Sequence, residues 1–121
     1  LDAGAADYVM IDPTWVGGIS ASRRIADLAQ LHQTPVLMHD CTGPLTLLAG
    51  VNIGASHSAV VMQETVRAHL ATLYPLLIDT KIHVVRGELP LPEQAGIGAR
   101  WLPELFESSH PGYRVSEFHA M

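Results

Sequence analysis

Three ionisable side chains, Asp12, His39 and Glu64, stand where short apolar runs of the chain end. His39 follows Asp12 by 27 residues, and Glu64 follows His39 by 25. A carboxylate bonded to one imidazole nitrogen fixes the tautomer of the ring and leaves the other nitrogen free to move a proton near neutral pH. We therefore predict that Asp12 and His39 form a general acid/base, whereas Glu64 either bonds a carboxylate or hydroxyl of a ligand or has a structural role.

Each of these residues also has a purely structural interpretation. Asp12 can cap a helix or turn, and His39 can be a polar residue with satisfied hydrogen bonds at a strand end. Glu64 can pair with Arg67 three residues later. The functional interpretation is favoured because a parallel sheet would bring all three groups to the same edge. For Glu64 both interpretations stay open.

The segments that carry these groups follow the order of βαβ units. Short, continuous apolar runs predict strands near residues 8–12, 35–39 and 59–64, because the runs are too short for helices. Strands that are apolar throughout are typical of a parallel sheet covered on both faces. Their alternation with helical segments predicts the α/β fold class.

Two helices are predicted between the strands. The first begins at a cap formed by Ser20 or Ser22. Its apolar face carries four residues at helical spacing: Ile25, Leu28, Ala29 and His32. The second helix begins at Pro44, a residue suited to the first turn, and ends near Gly54 or Ser56.

The pattern changes after the third strand. The sequence predicts a short helix over residues 66–77. It predicts a β-rich tail over 82–121, which is rich in Pro and Gly at its start. Within the tail, residues 101–106 predict a last helical turn and residues 108–121 an extended or loose end.

The composition narrows the class of protein. The 121 residues are 48% hydrophobic and 16% charged, which is typical of one globular unit. The net charge of −5, without a run of Lys or Arg, argues against nucleic acid and the membrane surface as partners. No apolar stretch approaches the roughly 18 residues of a transmembrane helix. A single Cys41 fits a reducing cytoplasm, and Leu1 in place of Met suggests a piece of a longer protein.

Other candidate groups receive structural interpretations. Gly96 and Gly98 form a lone GxG without a preceding βα unit, so we expect turn glycines and no dinucleotide site. Cys41 lies two residues after His39, and we predict a packing role for it. Five further histidines lack metal-binding spacing and are expected on the surface or as satisfied core residues: His57, His69, His83, His110 and His119.

Several segments resemble the mandelate racemase branch of the enolase superfamily. The resemblance rests on Asp12 before Gly-Gly-Ile at 17–19, on the segment 35–44 that contains His39, and on Met-Gln-Glu-Thr at 62–65. The tail segment with Gly87-Glu88-Leu89-Pro90-Leu91-Pro92 is similar to the part of that family that follows the barrel. The segment from His39 to Pro44 is most similar to galactonate dehydratase-type sugar-acid dehydratases.

The resemblance implies a modified TIM barrel in which this chain supplies the sixth, seventh and eighth strands. Residues 1–121 would then form one partial barrel domain of a longer enzyme. It also implies that His39 with Asp12 removes the proton α to a carboxylate, or protonates a leaving hydroxyl. Glu64 would bond the carboxylate oxygen as charge builds up in an enediolate. Three nearby residues are expected to face the ligand: Asp40, Thr42 and Trp15.

In that family Mg²⁺ is held by carboxylates on earlier strands, so the ligands are expected upstream of this chain and none within it. The implied activity is a hydro-lyase that eliminates water from an acid sugar, in a cytoplasmic homo-oligomer of the full-length protein. Two alternatives stay open. One is a racemase or epimerase of 2-hydroxy acids on the same scaffold, and the other is a non-catalytic truncated remnant.

Overall fold

The structure, a computed structural model, describes residues 1–107, so the predicted loose end over 108–121 lies outside the described residues. Its centre is a parallel sheet of three strands, β1 (Val9–Ile11), β2 (Val36–Met38) and β3 (Val60–Gln63), in that spatial order. Each strand falls inside its predicted segment, and consecutive strands are neighbours. The predicted α/β class with parallel strands is therefore confirmed.

Two helices make the connections between the strands, α1 (Ile19–Leu31) and α2 (Pro44–Ser56). Pro44 opens α2 as predicted. The predicted serine cap of α1 is wrong, because the helix begins after Gly18, whose φ of 96° is accessible to glycine at little cost. The Ser22 hydroxyl is instead inside the helix and donates to the Gly18 carbonyl at 2.9 Å.

The buried face of α1 also differs from the prediction. Ser22, Ala26 and Ala29 are fully buried, whereas Leu28 is 52% exposed. Small side chains on the inner face let the helix axis approach the sheet closely. The apolar periodicity therefore located the helix and placed Ile25 and Ala29 correctly on its inner side, but it was wrong for Leu28 and His32, which are exposed.

The chain after β3 contains irregular helical turns. A π-helical turn covers His69–Leu73, and a 3₁₀ turn at Tyr74–Leu76 follows it directly. The prediction of a β-rich tail is wrong for the described residues, which contain only isolated bridges there, at Ile78–Trp101 and Val85–Glu88. The predicted last helical turn is a 3₁₀ turn at Pro103–Phe106.

The core has two parts on either side of α2. One part lies between the sheet and the helices and is built from six residues: Ile11, Ala26, Ala29, Val36, Met38 and Ile53. The other joins Leu47 and Val51 of α2 to Tyr74. Over residues 1–107, no helix is both long and apolar enough to cross a membrane.

Candidate active site

The hydrogen bonds that extend the sheet bring the three predicted groups to one edge. The backbone amide of His39 donates to the Ile11 carbonyl at 2.8 Å, and that of Glu64 donates to the Met38 carbonyl at 2.9 Å. The residues that leave β1, β2 and β3 therefore lie side by side at the carboxyl ends of the strands, where parallel α/β folds bind their ligands.

Asp12 and His39 make the predicted contact. The Nδ1 atom of His39 lies 2.8 Å from Oδ2 of Asp12, a carboxylate whose side chain is almost fully buried. The Thr42 hydroxyl donates to the same oxygen, and the Thr14 amide donates to Oδ1 at 2.7 Å. These bonds fix the carboxylate, which in turn fixes the imidazole ring.

The surroundings of Asp12 favour its charged form. Burial alone raises the pKa of this carboxyl, but the hydrogen bonds from Thr42, His39 and the backbone amides of Thr14 and Trp15 outweigh burial and lower the pKa below its ordinary value. Asp12 is therefore ionised near neutral pH, as a partner that stabilises an imidazolium must be.

The second imidazole nitrogen of His39 faces the open side of the site. Nε2 lies 3.8 Å from Oε2 of Glu64 and 3.4 Å from the sulfur of Cys41, and the side chain keeps 17% of its surface exposed. The Trp15 ring lies against the imidazole, with the ring centres 4.9 Å apart. A proton on Nε2 is thus within reach of a ligand that enters from the exposed side.

Glu64 lies close to the dyad and half exposed. Its Oε2 accepts a hydrogen bond from the backbone amide of Asp40 at 3.1 Å, and 43% of its side chain is exposed. Among the ion pairs of the described region, none joins Glu64 to Arg67. The structural alternative for Glu64 therefore finds no support in this geometry.

The prediction that Asp40 faces a ligand does not agree with the structure. Its side chain is fully buried, and its carboxylate accepts hydrogen bonds from the Tyr74 hydroxyl and from the Val66 amide. Because successive residues at a strand end point to opposite sides, His39 faces the open site and Asp40 faces the interior. Asp40 binds the protein instead of a ligand.

Three other residues named in the sequence analysis lie near His39: Thr42, Trp15 and Cys41. Thr42 is beside the dyad, but its hydroxyl is directed to Asp12. Trp15 is 70% exposed and borders His39, so its contact with a ligand stays a prediction. The packing role predicted for Cys41 is wrong, because this residue is exposed beside Nε2 of His39.

The described residues do not fit a metal centre. No three His, Cys, Asp or Glu side chains between residues 1 and 107 are grouped so that they could hold a metal ion. Of the other histidines, His57 is buried, with Nε2 2.9 Å from Asp27 and Nδ1 accepting from the Ala59 amide. It is a satisfied core residue, as predicted, and it joins the end of α2 to α1.

Tyr74 contacts the site although no sequence pattern indicated it. It lies 34 residues after Asp40, in an irregular helical turn, and its side chain is buried in the second part of the core. A single tyrosine in an apolar segment carries no signal of its hydroxyl's partner, so the sequence could not reveal this contact.

The hydrogen-bonded pair of Asp12 and His39 lies at the carboxyl ends of parallel strands, where parallel α/β folds bind their ligands, and the comparisons with known proteins agree with this fold. The enolase C-terminal domain-like family model matches residues 1–105. The chain therefore belongs to the enolase C-terminal domain-like family, the mandelate racemase and muconate lactonizing branch of the enolase superfamily.

Two curated relatives are sugar-acid dehydratases. D-xylonate dehydratase of Haloferax volcanii is 29% identical over 98 residues, which are 81% of this chain and 24% of that protein. Arabinonate dehydratase of Saccharolobus solfataricus is 25% identical over 103 residues, or 85% of this chain and 27% of that protein. The chain thus spans about a quarter of the length of these relatives.

Solved structures confirm the fold. An enolase protein from the environmental sequencing of the Sargasso Sea superposes with a TM-score of 0.80 and 39% identity, covering 89% of this chain and 29% of that one. An enolase of the mandelate racemase subgroup from Agrobacterium tumefaciens gives a TM-score of 0.78 and 37% identity, covering 85% and 28%. The three parallel strands and their helices are therefore a fragment of a TIM-barrel-like domain.

Proposed function

We propose that this chain supplies the acid/base part of the active site of a sugar-acid dehydratase. One observation carries the proposal: Asp12 holds Nδ1 of His39 at 2.8 Å, while Nε2 faces the open side beside Glu64. This arrangement leaves one nitrogen of the ring free to exchange a proton with a ligand. A partial barrel domain over residues 1–121 would contribute this half of the site.

The proposed reaction begins with His39 as the base. Nε2 takes the proton from the carbon α to the substrate carboxylate, and the electrons of the C–H bond form an enediolate. Asp12 stabilises the imidazolium that results. Glu64 hydrogen-bonds the carboxylate oxygen on which negative charge develops. Loss of the β-hydroxyl with a proton from an acid then gives water and an enol, which tautomerises to a 2-keto-3-deoxy acid.

The names of the relatives support this substrate class. They are dehydratases of D-xylonate, arabinonate and L-rhamnonate, all of them acid sugars. Mg²⁺ remains part of the proposal for the full-length protein only, because residues 1–107 do not supply a ligand set for it. A homo-oligomer and a cytoplasmic location likewise stay predictions from the sequence.

A second candidate function is the racemisation or epimerisation of a 2-hydroxy acid. The similarity to the Agrobacterium structure of the mandelate racemase subgroup favours it. The same proton transfer at His39 serves both reactions. They differ in the group opposite His39, since a second base leads to inversion and an acid beside the departing hydroxyl leads to dehydration.

The test uses the full-length product of the encoding gene, supplied with Mg²⁺ and a panel of acid sugars. We expect a 2-keto-3-deoxy product from at least one of them. We expect His39→Asn to lower the rate of its formation by about a thousandfold or more, as for the loss of a general acid/base. Circular dichroism checks that the variant is folded.

His32→Asn is the matched control, because His32 is an exposed histidine at the end of α1. It should leave the rate unchanged. Inactivity on every acid sugar, together with exchange of the α-proton of 2-hydroxy acids in deuterated solvent, would replace the dehydratase by the racemase. Full activity of His39→Asn would refute both.

A further inference from the structure

Asp40 connects the residues that follow β2 with those that follow β3. Its backbone amide donates to Oε2 of Glu64 at 3.1 Å, and its carboxylate Oδ2 accepts from the Val66 amide, also at 3.1 Å. These two hydrogen bonds join Asp40 to Glu64 and to Val66, the residues before and after position 65. The Glu64 backbone is in turn bonded to the Met38 carbonyl. Asp40 therefore sets where Glu64 lies relative to the neighbouring His39.

Tyr74 holds Asp40 in this position from the interior. Its hydroxyl donates to Oδ1 of Asp40, and both side chains are fully buried or nearly so. The tyrosine ring packs with Leu47 and Val51 of α2. A hydroxyl on a ring that is fixed by the core gives the Asp40 carboxylate a donor with little freedom to move.

Burying the ionisable groups of Asp40 and Tyr74 costs free energy of desolvation. Burial raises the pKa of Asp40, an effect that the hydrogen bonds from Tyr74 and Val66 only partly offset. Burial also raises the pKa of Tyr74, so its hydroxyl stays a donor throughout the physiological range. The titratable groups around Asp40 are Tyr74, His69 and Glu64, with His39 and Cys41 on either side of it in the chain.

We propose that Tyr74 and Asp40 are positioning residues that hold the Glu64 carboxylate against the His39 dyad. The inference rests on the proposed function, in which Glu64 bonds the developing enediolate. Neither residue contacts the ligand. Tyr74 bonds Asp40, and Asp40 fixes the carboxylate of Glu64 and the backbone that follows it.

Tyr74→Phe tests this inference in the full-length gene product, because it removes only the hydroxyl and keeps the ring in the core. We expect kcat for α-proton exchange to fall about tenfold with little change in KM, consistent with one lost hydrogen bond to a charged group. Tyr8→Phe, at an exposed tyrosine, is the matched control and should change neither quantity.

Combining variants separates positioning from general damage to the fold. If Tyr74 acts through Glu64, Tyr74→Phe should lower the rate little further in a Glu64→Gln background. Losses that simply multiply would overturn the inference. Full activity of Glu64→Gln would refute the proposed role of Glu64 itself, whereas an inactive Glu64→Gln beside an unaffected Tyr74→Phe would refute only the positioning.

Amide hydrogen exchange gives a second measurement that needs no activity. The Asp40 amide, which donates to Glu64, should exchange about tenfold faster in Tyr74→Phe than in the wild type. The His39 amide, which donates to Ile11, should keep its protection. Equal protection of the Asp40 amide in both proteins would overturn the inference. Asp40→Asn, expected to act in the same direction, replaces Tyr74→Phe if that variant does not fold.

Discussion

Asp12 and Asp40 are two buried carboxylates at neighbouring strand ends, and their environments shift their pKa values in opposite directions. Four donors surround Asp12 and lower its pKa, whereas burial dominates at Asp40 and raises its pKa. A lowered pKa in the folded state adds stability above the ordinary value of 3.8, and this stability is lost as the pH falls through the folded value. The raised pKa of Asp40 has the opposite effect on the free energy of unfolding. Its relative contribution to stability is present at low pH and is lost as the pH rises.

Thr42→Val tests the environment of Asp12. The variant removes the hydroxyl that donates to Oδ2. Near pH 7 we expect the free energy of unfolding to fall by about 1–2 kcal/mol, because the acceptor is charged. The loss should shrink as the pH falls below 3.8, where the Asp12 carboxylate of the unfolded chain becomes protonated.

Urea unfolding between pH 3 and 7 measures this dependence. Thr72→Val is the control, because the Thr72 hydroxyl donates to the neutral carbonyl of Ala68. Its effect should not vary with pH. A pH-independent loss in Thr42→Val would contradict the assignment of a charged, hydrogen-bonded Asp12.

Helix α1 packs on the sheet through small residues. Ala26 and Ala29 are fully buried in the core cluster with Val36 and Met38. Little room is left for a larger side chain at this surface, since protein interiors are close-packed. The same cluster contains Ile11, the last residue of β1, which directly precedes Asp12.

Ala29→Leu tests this packing. The added side chain has to displace α1 or its neighbours, and we expect a loss of about 1–3 kcal/mol in the free energy of unfolding. Arg24→Leu introduces the same side chain on the exposed face of the helix and should change stability by less than about 0.5 kcal/mol. Chemical denaturation of both variants gives the comparison, and equal stabilities would show that α1 has room at Ala29.

Helix α2 lies between the two parts of the core and contributes residues to both of them. Ile53 of α2 packs in the part at the sheet, and Leu47 and Val51 pack with Tyr74 from the segment after β3. Tyr74 also reaches the Asp40 carboxylate. The second part of the core therefore connects the irregular C-terminal segment to the candidate active site.

Leu47→Ala should be among the most destabilising single changes in the described chain. Leu47 is fully buried, so the expected loss is about 2–5 kcal/mol, from lost burial and the cavity left behind. Leu31→Ala, at an exposed leucine that ends α1, should cost less than about 1 kcal/mol. Thermal and urea unfolding measure both, and a small loss at Leu47 would mean that the second part of the core repacks easily.

Local patterns in the sequence were sufficient for the order of strands and helices. Continuous apolar runs ending at Asp12, His39 and Glu64 indicated parallel strands, and Pro44 indicated the start of α2. The expected burial of all three strands was wrong, because Met10 of β1 and Val61 and Met62 of β3 are exposed. These signals act over a few residues, through backbone preferences and side-chain burial, so they can be recognised in a sequence. The meeting of Asp12 and His39 followed from the same logic, because residues that leave neighbouring parallel strands lie side by side.

The tertiary structure decided which of the neighbouring side chains face the open site. His39 and Asp40 are adjacent in the chain, yet one is partly exposed and the other is bonded inside to Tyr74. The exposure of Leu28 on α1 and the irregular path of the tail were also misjudged from the sequence. Each of these features depends on contacts between residues far apart in the chain, and such contacts are fixed only when the elements pack together.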